Sequence, residues 1–348
     1  MNRVYLLWHQ REMPSGVDDD KFIGAYRSKD DASAAIERLR VQPGFRHFPD
    51  CFVIGEYELN KDHWTEGFVT AVNQPDGTIL YVENAMHENR VKRIMRGGGL
   101  ALGTHVGGIP DPQIVEIIGL AGFDAAFIDM EHTTLDLHDV QACVMAAERV
   151  GITPIVRTPG FDPAFILRLL DMGVQGIQVP HVSDPDTARE AVKAVRYPPD
   201  GERGMAAGGR AAEYGKIPLL EHMASSNREI LLACMIEDMA AVERIDEIAA
   251  VPGVDLLAVG PSDLSRSLGV SGHPDHPRLV AAVDRVREAV KRGAGCRLAI
   301  PLSHAALPRN AAQLKEMGVG YTNCAPTPEA RLLRSMQEQA AAQHKLLG

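Results

Sequence analysis

Positive charge is scarce in this chain. Its 36 Lys and Arg stand against 46 Asp and Glu, for a net charge of −10. A surface that follows a nucleic-acid backbone or an anionic membrane needs the opposite balance, so composition argues against both partners and leaves room only for a local basic patch. Cysteine is sparse as well. The five (Cys51, Cys143, Cys234, Cys296 and Cys324) are scattered, odd in number and without a CxxC pair. They fit reduced core thiols of a cytosolic protein, not a disulfide framework or a zinc site. No apolar run approaches the length of a membrane span, and Met1-Asn2-Arg3-Val4-Tyr5 lacks the basic-then-apolar pattern of a secretion signal. The expectation is a cytoplasmic protein. A phosphate-cradling glycine fingerprint is missing too: 97–103 and Gly107-Gly108 fit neither GxGxxG nor a Walker pattern. What remains is 348 residues, 45% hydrophobic and 24% charged, an ordinary soluble composition with ample core.

The pattern along the chain changes near residue 84. Before it, strand-like runs at 4–8, 22–26 and 51–59 surround a helix capped at Ser28-Lys29-Asp30-Asp31 and stopped by Pro43-Gly44. A turn at 73–77 and a run at 78–82 read as a closing hairpin. Residues 1–84 are therefore expected to form a small α+β accessory domain. His9, His47 and His63 lie in it without metal-ligand spacing and read as structural. The portion resembles small bacterial domains of unknown function that also occur alone, which implies nothing about chemistry.

Residues 85–99 are polar, basic and then glycine-rich, a linker or a lead-in helix. From there strand and helix alternate, with strands predicted at 100–105, 125–129, 154–157, 176–179, 231–236, 255–259, 297–300 and 319–323. Eight βα units over about 250 residues predict a (β/α)8 barrel at 100–348. An open doubly wound sheet is the alternative, and it predicts fewer repeats and the glycine fingerprint that is missing. The segment 201–215, rich in Gly and Ala and carrying Arg203 and Arg210, reads as a loop over the barrel mouth or a plain surface excursion.

The barrel is organised around residues 122–132, where an apolar run ends in Asp129, Glu131 and His132. A helix cap would explain such an ending by itself. The same ending recurs, however, in Arg157 after strand three, Glu237 after strand five, and Gly260-Pro261-Ser262-Asp263 after strand six. In a barrel all of these face one rim, the rim where chemistry sits. Glu237 and Asp263 suit a hard divalent cation, which takes one or two carboxylates and leaves other positions to water and substrate. Arg157 offers a planar fork for a substrate carboxylate, and His132 a proton-transfer group near neutrality. Together they suit a 2-oxo acid activated as an enolate, the chemistry of an aldolase. A Schiff-base route needs a lysine in the barrel interior, and none of the nine lysines falls on a predicted barrel strand.

At these residues, from about Val91 onward, the chain resembles the HpcH/HpaI family of metal-dependent pyruvate aldolases, which includes 4-hydroxy-2-oxoheptanedioate and 2-dehydro-3-deoxyglucarate aldolases. The resemblance rests on residues 121–132, Val156-Arg157-Thr158-Pro159, Leu169-Leu170-Asp171-Met172-Gly173, Val179-Pro180-His181-Val182, Arg196-Tyr197-Pro198-Pro199, Ile236-Glu237 and residues 260–265. It implies Glu237 and Asp263 as ligands of Mg²⁺, Mn²⁺ or Co²⁺, and Arg157 as the pyruvyl ligand. It further implies His132 as the acid/base residue, working through a metal-bound water and oriented by Asp171, with Asp129 and Glu131 as supports. Gly260, Pro261 and Ser262 would hold the substrate carboxylate through the backbone. The partners implied are pyruvate and an aldehyde. The implied assembly is a homo-oligomer, a hexamer built from dimers that exchange a C-terminal helix whose apolar face carries Leu332, Leu333 and Met336.

The chain departs from the pattern at Met235, where family members often have Gln, and at Asn323-Cys324-Ala325-Pro326-Thr327. The N-terminal domain is an addition. Two other readings stay open on sequence: a lyase or hydrolase acting on a related acyl-CoA or oxo-acid substrate, and a non-catalytic 2-oxo-acid sensor.

Overall fold

The computed structural model describes residues 3–10, 21–58, 69–73, 79–83, 88–109, 111–293 and 295–347. The predicted turn at 73–77, apart from Asn73, and His63 lie outside them. The chain divides into two compact units, Met1–Asn84 and Ala85–Gly348.

In the first unit, β1 (Arg3–His9) is the middle strand of an antiparallel sheet, between β2 (Lys21–Tyr26) and β3 (Phe52–Glu58). Helix α1 (Lys29–Leu39) begins where the Ser28 hydroxyl accepts the Asp31 N–H at 3.1 Å, and it buries Ala32 and Ala35. His9 is buried, bonded to the Phe48 carbonyl at 2.9 Å and edge-on to Phe45 and Phe52. A separate hairpin joins β4 (Val69–Asn73) and β5 (Ile79–Glu83).

The second unit opens with α2 (Arg90–Arg96), capped by Asn89. The segment read as a linker or lead-in helix thus carries a seven-residue helix, and Val91 and Met95 bury against the barrel interior. Four βα units follow: β6 (Ala101–Val106) and α3 (Pro112–Leu120), β7 (Ala125–Asp129) and α4 (Leu137–Arg149), β8 (Thr153–Arg157) and α5 (Pro163–Asp171), β9 (Gly176–Val179) and α6 (Pro185–Val195). After a 3₁₀ turn at Arg210–Gly215 come α7 (Leu219–Glu229), β10 (Leu231–Ile236), α8 (Met239–Glu243) and α9 (Ile245–Ala249). The last strands are β11 (Leu256–Val259), β12 (Arg297–Ala299) and β13 (Val319–Asn323). With them run α10 (Pro261–Ser267), α11 (Pro277–Arg292), α12 (Ala311–Glu316) and the terminal α13 (Pro328–Leu347).

All eight strands β6–β13 are parallel, and β13 pairs β6 to close the barrel, as predicted. Their period of two sorts the side chains. Ile128, Val156, Ile177, Cys234 and Leu257 point outward into the helical layer. Ala125, Phe127, Ile155, Ala233, Ala258, Ala299 and Tyr321 fill the interior, small residues making room for two rings. One step further up the same inward columns come Asp129 and Arg157, and two steps beyond Ala233 comes Glu237. Interior packing therefore aims the charged layer.

The segment 201–215 follows α6, a helix that returns the chain to the opposite end, so it is not at the mouth. Arg203 bonds Asp171, and Arg210 bonds the Met172 carbonyl, both at the far end of α5. Among the described residues no helix is long and apolar enough to cross a membrane.

Candidate active site

The centre of the rim is a buried ion pair. Asp129 and Arg157 face each other in register on β7 and β8. Arg157 Nε donates to Asp129 Oδ1 at 2.8 Å and Nη2 to Oδ2 at 2.6 Å, a bidentate fit of planar groups. Asp129 is 2% exposed and Arg157 8%. Burial alone would raise the Asp129 carboxyl, but the Arg157 bonds and charge outweigh it and hold it below its usual range. One edge of the guanidinium is thus committed. Its Nη1 is left toward the cavity, 3.2 Å from Glu131 Oε2 and 4.0 Å from Met235 Sδ.

A second chain of contacts runs from Glu131 to Glu237 through His181. Its Nε2 lies 3.1 Å from Glu131 Oε1 and its Nδ1 2.9 Å from Glu237 Oε1, which also accepts the His181 backbone N–H at 2.7 Å. Glu237 is 3% exposed. Burial raises its carboxyl above the usual range. His181 pulls the other way, and the charges of Glu131 and Asp263 push it further up. Such a surplus of negative charge is what a divalent cation relieves.

The donor set fits that ion. Glu237 and Asp263 are hard oxygen donors, and both line one recess. Among the described residues no three His, Cys, Asp or Glu form a complete metal cage, so other ligands must come from solvent and substrate. Gly260 is required there for space. A Cβ would sit 3.0 Å from Glu237 Oε2 and 2.7 Å from Met235 Cε, closing the gap between carboxylate and strand.

A cavity of about 320 Å³ opens onto these groups, enough for a small ligand. Phe127, Met235 and Ala258 floor it, and Arg157, His132 and Asp263 reach it from the rim. His132 has an open side chain, with Nε2 3.7 Å from Glu131 Oε2. Gly260 and Pro261 form the start of α10, and Ser262 Oγ meets His304 Nε2 at 3.1 Å.

Asp171 does not join them. It is the last residue of α5, and the helix after a barrel strand runs back to the end from which the strands start. Within one chain its carboxylate instead accepts Arg203 Nη2 at 2.9 Å, and no ion pair or hydrogen bond joins it to His132. The expected His132–Asp171 contact is therefore absent from the single chain, for a topological reason.

Sequence reasoning passed over four cavity or rim residues: His181, His105, Gln178 and His304. The first follows β9 directly and obeys the strand-end rule that picked out Asp129 and Glu237. His105 lies on β6 itself, beside Thr104, and burial pushes its imidazole below the usual range. The amide of Gln178 meets a thioether, its Nε2 3.5 Å from Met235 Sδ. Met235, the departure noted above, thus packs between Arg157 and Gln178.

Residues 108–324 match the HpcH/HpaI aldolase/citrate lyase family, and residues 2–68 match a domain of unknown function. A pyruvate aldolase from Rhizobium etli is 40% identical over 196 residues, covering 56% of this chain and 76% of that protein. A 5-keto-4-deoxy-D-glucarate aldolase from Salmonella paratyphi C is 33% identical over 222 residues, covering 64% and 86%. The crystal structure of an HpcH/HpaI aldolase from Desulfitobacterium hafniense superposes with a TM-score of 0.64 at 30% identity, covering 74% of this chain and 95% of that one. The chain belongs to the HpcH/HpaI aldolase/citrate lyase family and is a class II aldolase.

Proposed function

We propose that the chain makes and cleaves 4-hydroxy-2-oxo acids, with pyruvate as the nucleophilic half and an aldehyde as the other. The observation that carries this is the acid surplus around Glu237 and Asp263 beside an Arg157 already fixed by Asp129. Glu237 and Asp263 would hold Mg²⁺ or Mn²⁺, with Co²⁺ as a substitute, and the ion would supply Lewis-acid stabilisation of negative charge on the oxo acid. Arg157, pinned along one edge, presents Nη1 to the pyruvyl group, and the backbone of Gly260, Pro261 and Ser262 lines the carboxylate end. His132, on the open rim beside Glu131, moves the proton between the aldol hydroxyl and solvent as the carbon–carbon bond breaks or forms. Asp171 serves His132 only if it reaches it from another copy. The Phe127, Met235 and Ala258 floor excludes water below the reacting carbons.

The cavity lining favours a small oxo acid over a CoA thioester. Among the described residues it carries one permanent cation, Arg157, and that one is already paired with acids. A nucleotide-like tail would need more.

The partner remains a second copy of the chain. Helix α13 runs for 20 residues with none buried, and Leu332, Leu333 and Met336 are exposed on it. Such an exposed apolar patch on a terminal helix is consistent with exchange between protomers and a hexamer built from dimers. A reducing compartment, the cytoplasm, suits the cysteines: burial pushes the Cys234 thiol up to about 12 and those of Cys143 and Cys296 to about 11.

The test is incubation with Mn²⁺, pyruvate and a panel of aldehydes, with exchange of pyruvate's methyl protons followed by NMR. Full exchange in EDTA-treated protein would defeat the metal-dependent reading, and so would a lysine adduct trapped by borohydride.

A further inference from the structure

We propose that His181 is a positioning residue that fixes which oxygen Glu237 offers to its cation, by clamping the other oxygen and tying it to Glu131. The inference rests on the metal-dependent reading above and assigns a residue that reading does not use.

The backbone supplies the first observation. His181 has φ of +55°, in the left-handed region that few residues other than glycine adopt, histidine more often than most but still seldom. Strain of this kind persists where the surroundings over-determine it, and it clusters at functional sites. What it accomplishes here is visible in the contacts. With the chain turned this way, the backbone N–H and the ring of one residue both reach Glu237 Oε1, at 2.7 and 2.9 Å.

The carboxylate geometry supplies the second. Both His181 contacts fall on Oε1, so Oε2 is the oxygen left beside Gly260, in the space that a Cβ would fill. Glu237 is thereby presented through one oxygen. The far ring nitrogen lies 3.1 Å from Glu131 Oε1, and Glu131 in turn meets Arg157 Nη1 at 3.2 Å. The clamp therefore connects the cation side of the site to the arginine side through two carboxylates and one imidazole. Partners that orient a metal-binding carboxylate typically change metal affinity about 10- to 100-fold when removed.

The experiment is Mn²⁺ titration of the full-length protein without substrate, by calorimetry and electron paramagnetic resonance. His181→Gly removes the ring while accepting the positive φ, so the backbone N–H stays and the fold is spared. His181→Asn also tolerates that φ and keeps a side-chain donor. The expected result is Mn²⁺ affinity about 10- to 100-fold weaker in His181→Gly, substantially recovered in His181→Asn, with turnover returning toward wild type at saturating Mn²⁺. Unchanged Mn²⁺ affinity in His181→Gly, or weakening without recovery in Asn, overturns the proposal. So does nitrogen hyperfine coupling on bound Mn²⁺ that vanishes in His181→Gly, because the ring would then be a ligand. Glu237→Ala separates the two readings. If wild type and Glu237→Ala bind Mn²⁺ equally, the metal site itself is misplaced, whereas a loss in Glu237→Ala without one in His181→Gly rejects only the clamp.

Discussion

Both ends of this barrel bury charge, and they do so differently. At the end where the strands begin, Lys92 Nζ lies 2.8 Å from Asp255 Oδ1 while Arg196 Nη2 lies 2.9 Å from Oδ2. Leftover donors on both cations go to the Ile230 carbonyl, and Asp255 also takes the Leu232 N–H. Arg90 and Asp124 close in the same way, with Asp124 accepting the Leu102 N–H. At the other end, among the described residues, Asp129, Glu131 and Glu237 gather around Arg157 while Asp263 pairs only with the exposed Arg266, and a Glu131 oxygen is buried without a hydrogen bond. The first set is closed and stitches strands together. The second is open and negative, so it gains from a cation or substrate. Charge that closes on itself points to stability; charge left open points to chemistry.

The comparison breaks most sharply at the open end. Glu237→Ala and Asp263→Ala are expected to reduce pyruvate methyl exchange below detection while circular dichroism and thermal midpoint stay near wild type. Collapse of the fold in either variant would mean that the rim acids are structural after all. Next in size is His132→Ala, expected to lose about 10² to 10⁴ in rate, as for removal of a positioned acid or base, while still binding Mn²⁺ and pyruvate. Near-wild-type turnover there would hand the proton to another group, and His105 in the same cavity would be the next to mutate.

Much of this contrast was legible in the chain itself. Each predicted barrel strand lies within one residue of the observed one at either end, because buried parallel strands are short apolar runs bounded by polar residues. Position then separates the two kinds of charge: Asp124 and Asp255 precede their strands, while Asp129 and Glu237 end or follow theirs. Tertiary consequences were harder to read. Asp171 looks like a neighbour of His132 when motifs are set side by side, yet one helix carries it to the other end of the barrel. The composition of 201–215 leaves a loop over the mouth and a plain surface excursion both open, whereas the helix before it dictates the opposite face. Asp129 takes up one edge of the Arg157 fork, a pairing set by strand register that no local pattern announces. The conformation of His181 has no sequence signature, since most histidines keep a negative φ even though the residue tolerates a positive one better than most.

At the closed end the expected effect falls on stability alone. Asp255→Ala leaves Lys92 and Arg196 without their carboxylate, and breaking such a pair typically costs about 3 kcal/mol. Lys92 already sits below its usual range because burial outweighs the pull of Asp255. Urea denaturation should register the loss, while the Mn²⁺ affinity of the folded variant stays at the wild-type value. Weakened Mn²⁺ binding would show the two ends to be coupled and would undo the distinction drawn between them.

The smallest expected effect is a slope with pH, and it has opposite signs for two carboxylates of the same rim. Asp129 is held below its usual range in the fold. A depressed carboxyl contributes stability above its unfolded value, about 3.9, and loses it as pH falls through the folded value. Between pH 7 and 5 it is ionised in both states, so it adds no slope there. Glu237 is raised. Its contribution is present below the unfolded value and is lost as pH rises through the folded one, because ionisation in the metal-free fold is opposed by burial and by neighbouring acids. Urea denaturation in EDTA from pH 3 to 7 can separate them. The gap between wild type and Asp129→Asn should hold steady from pH 7 to 5 and narrow only below about 4. Glu237→Gln should instead gain on wild type as pH rises through the Glu237 range, and a saturating divalent cation should cancel the gain by stabilising wild type alone. A Glu237→Gln curve parallel to wild type across the whole range would mean that the rim is no more open than the far end of the barrel.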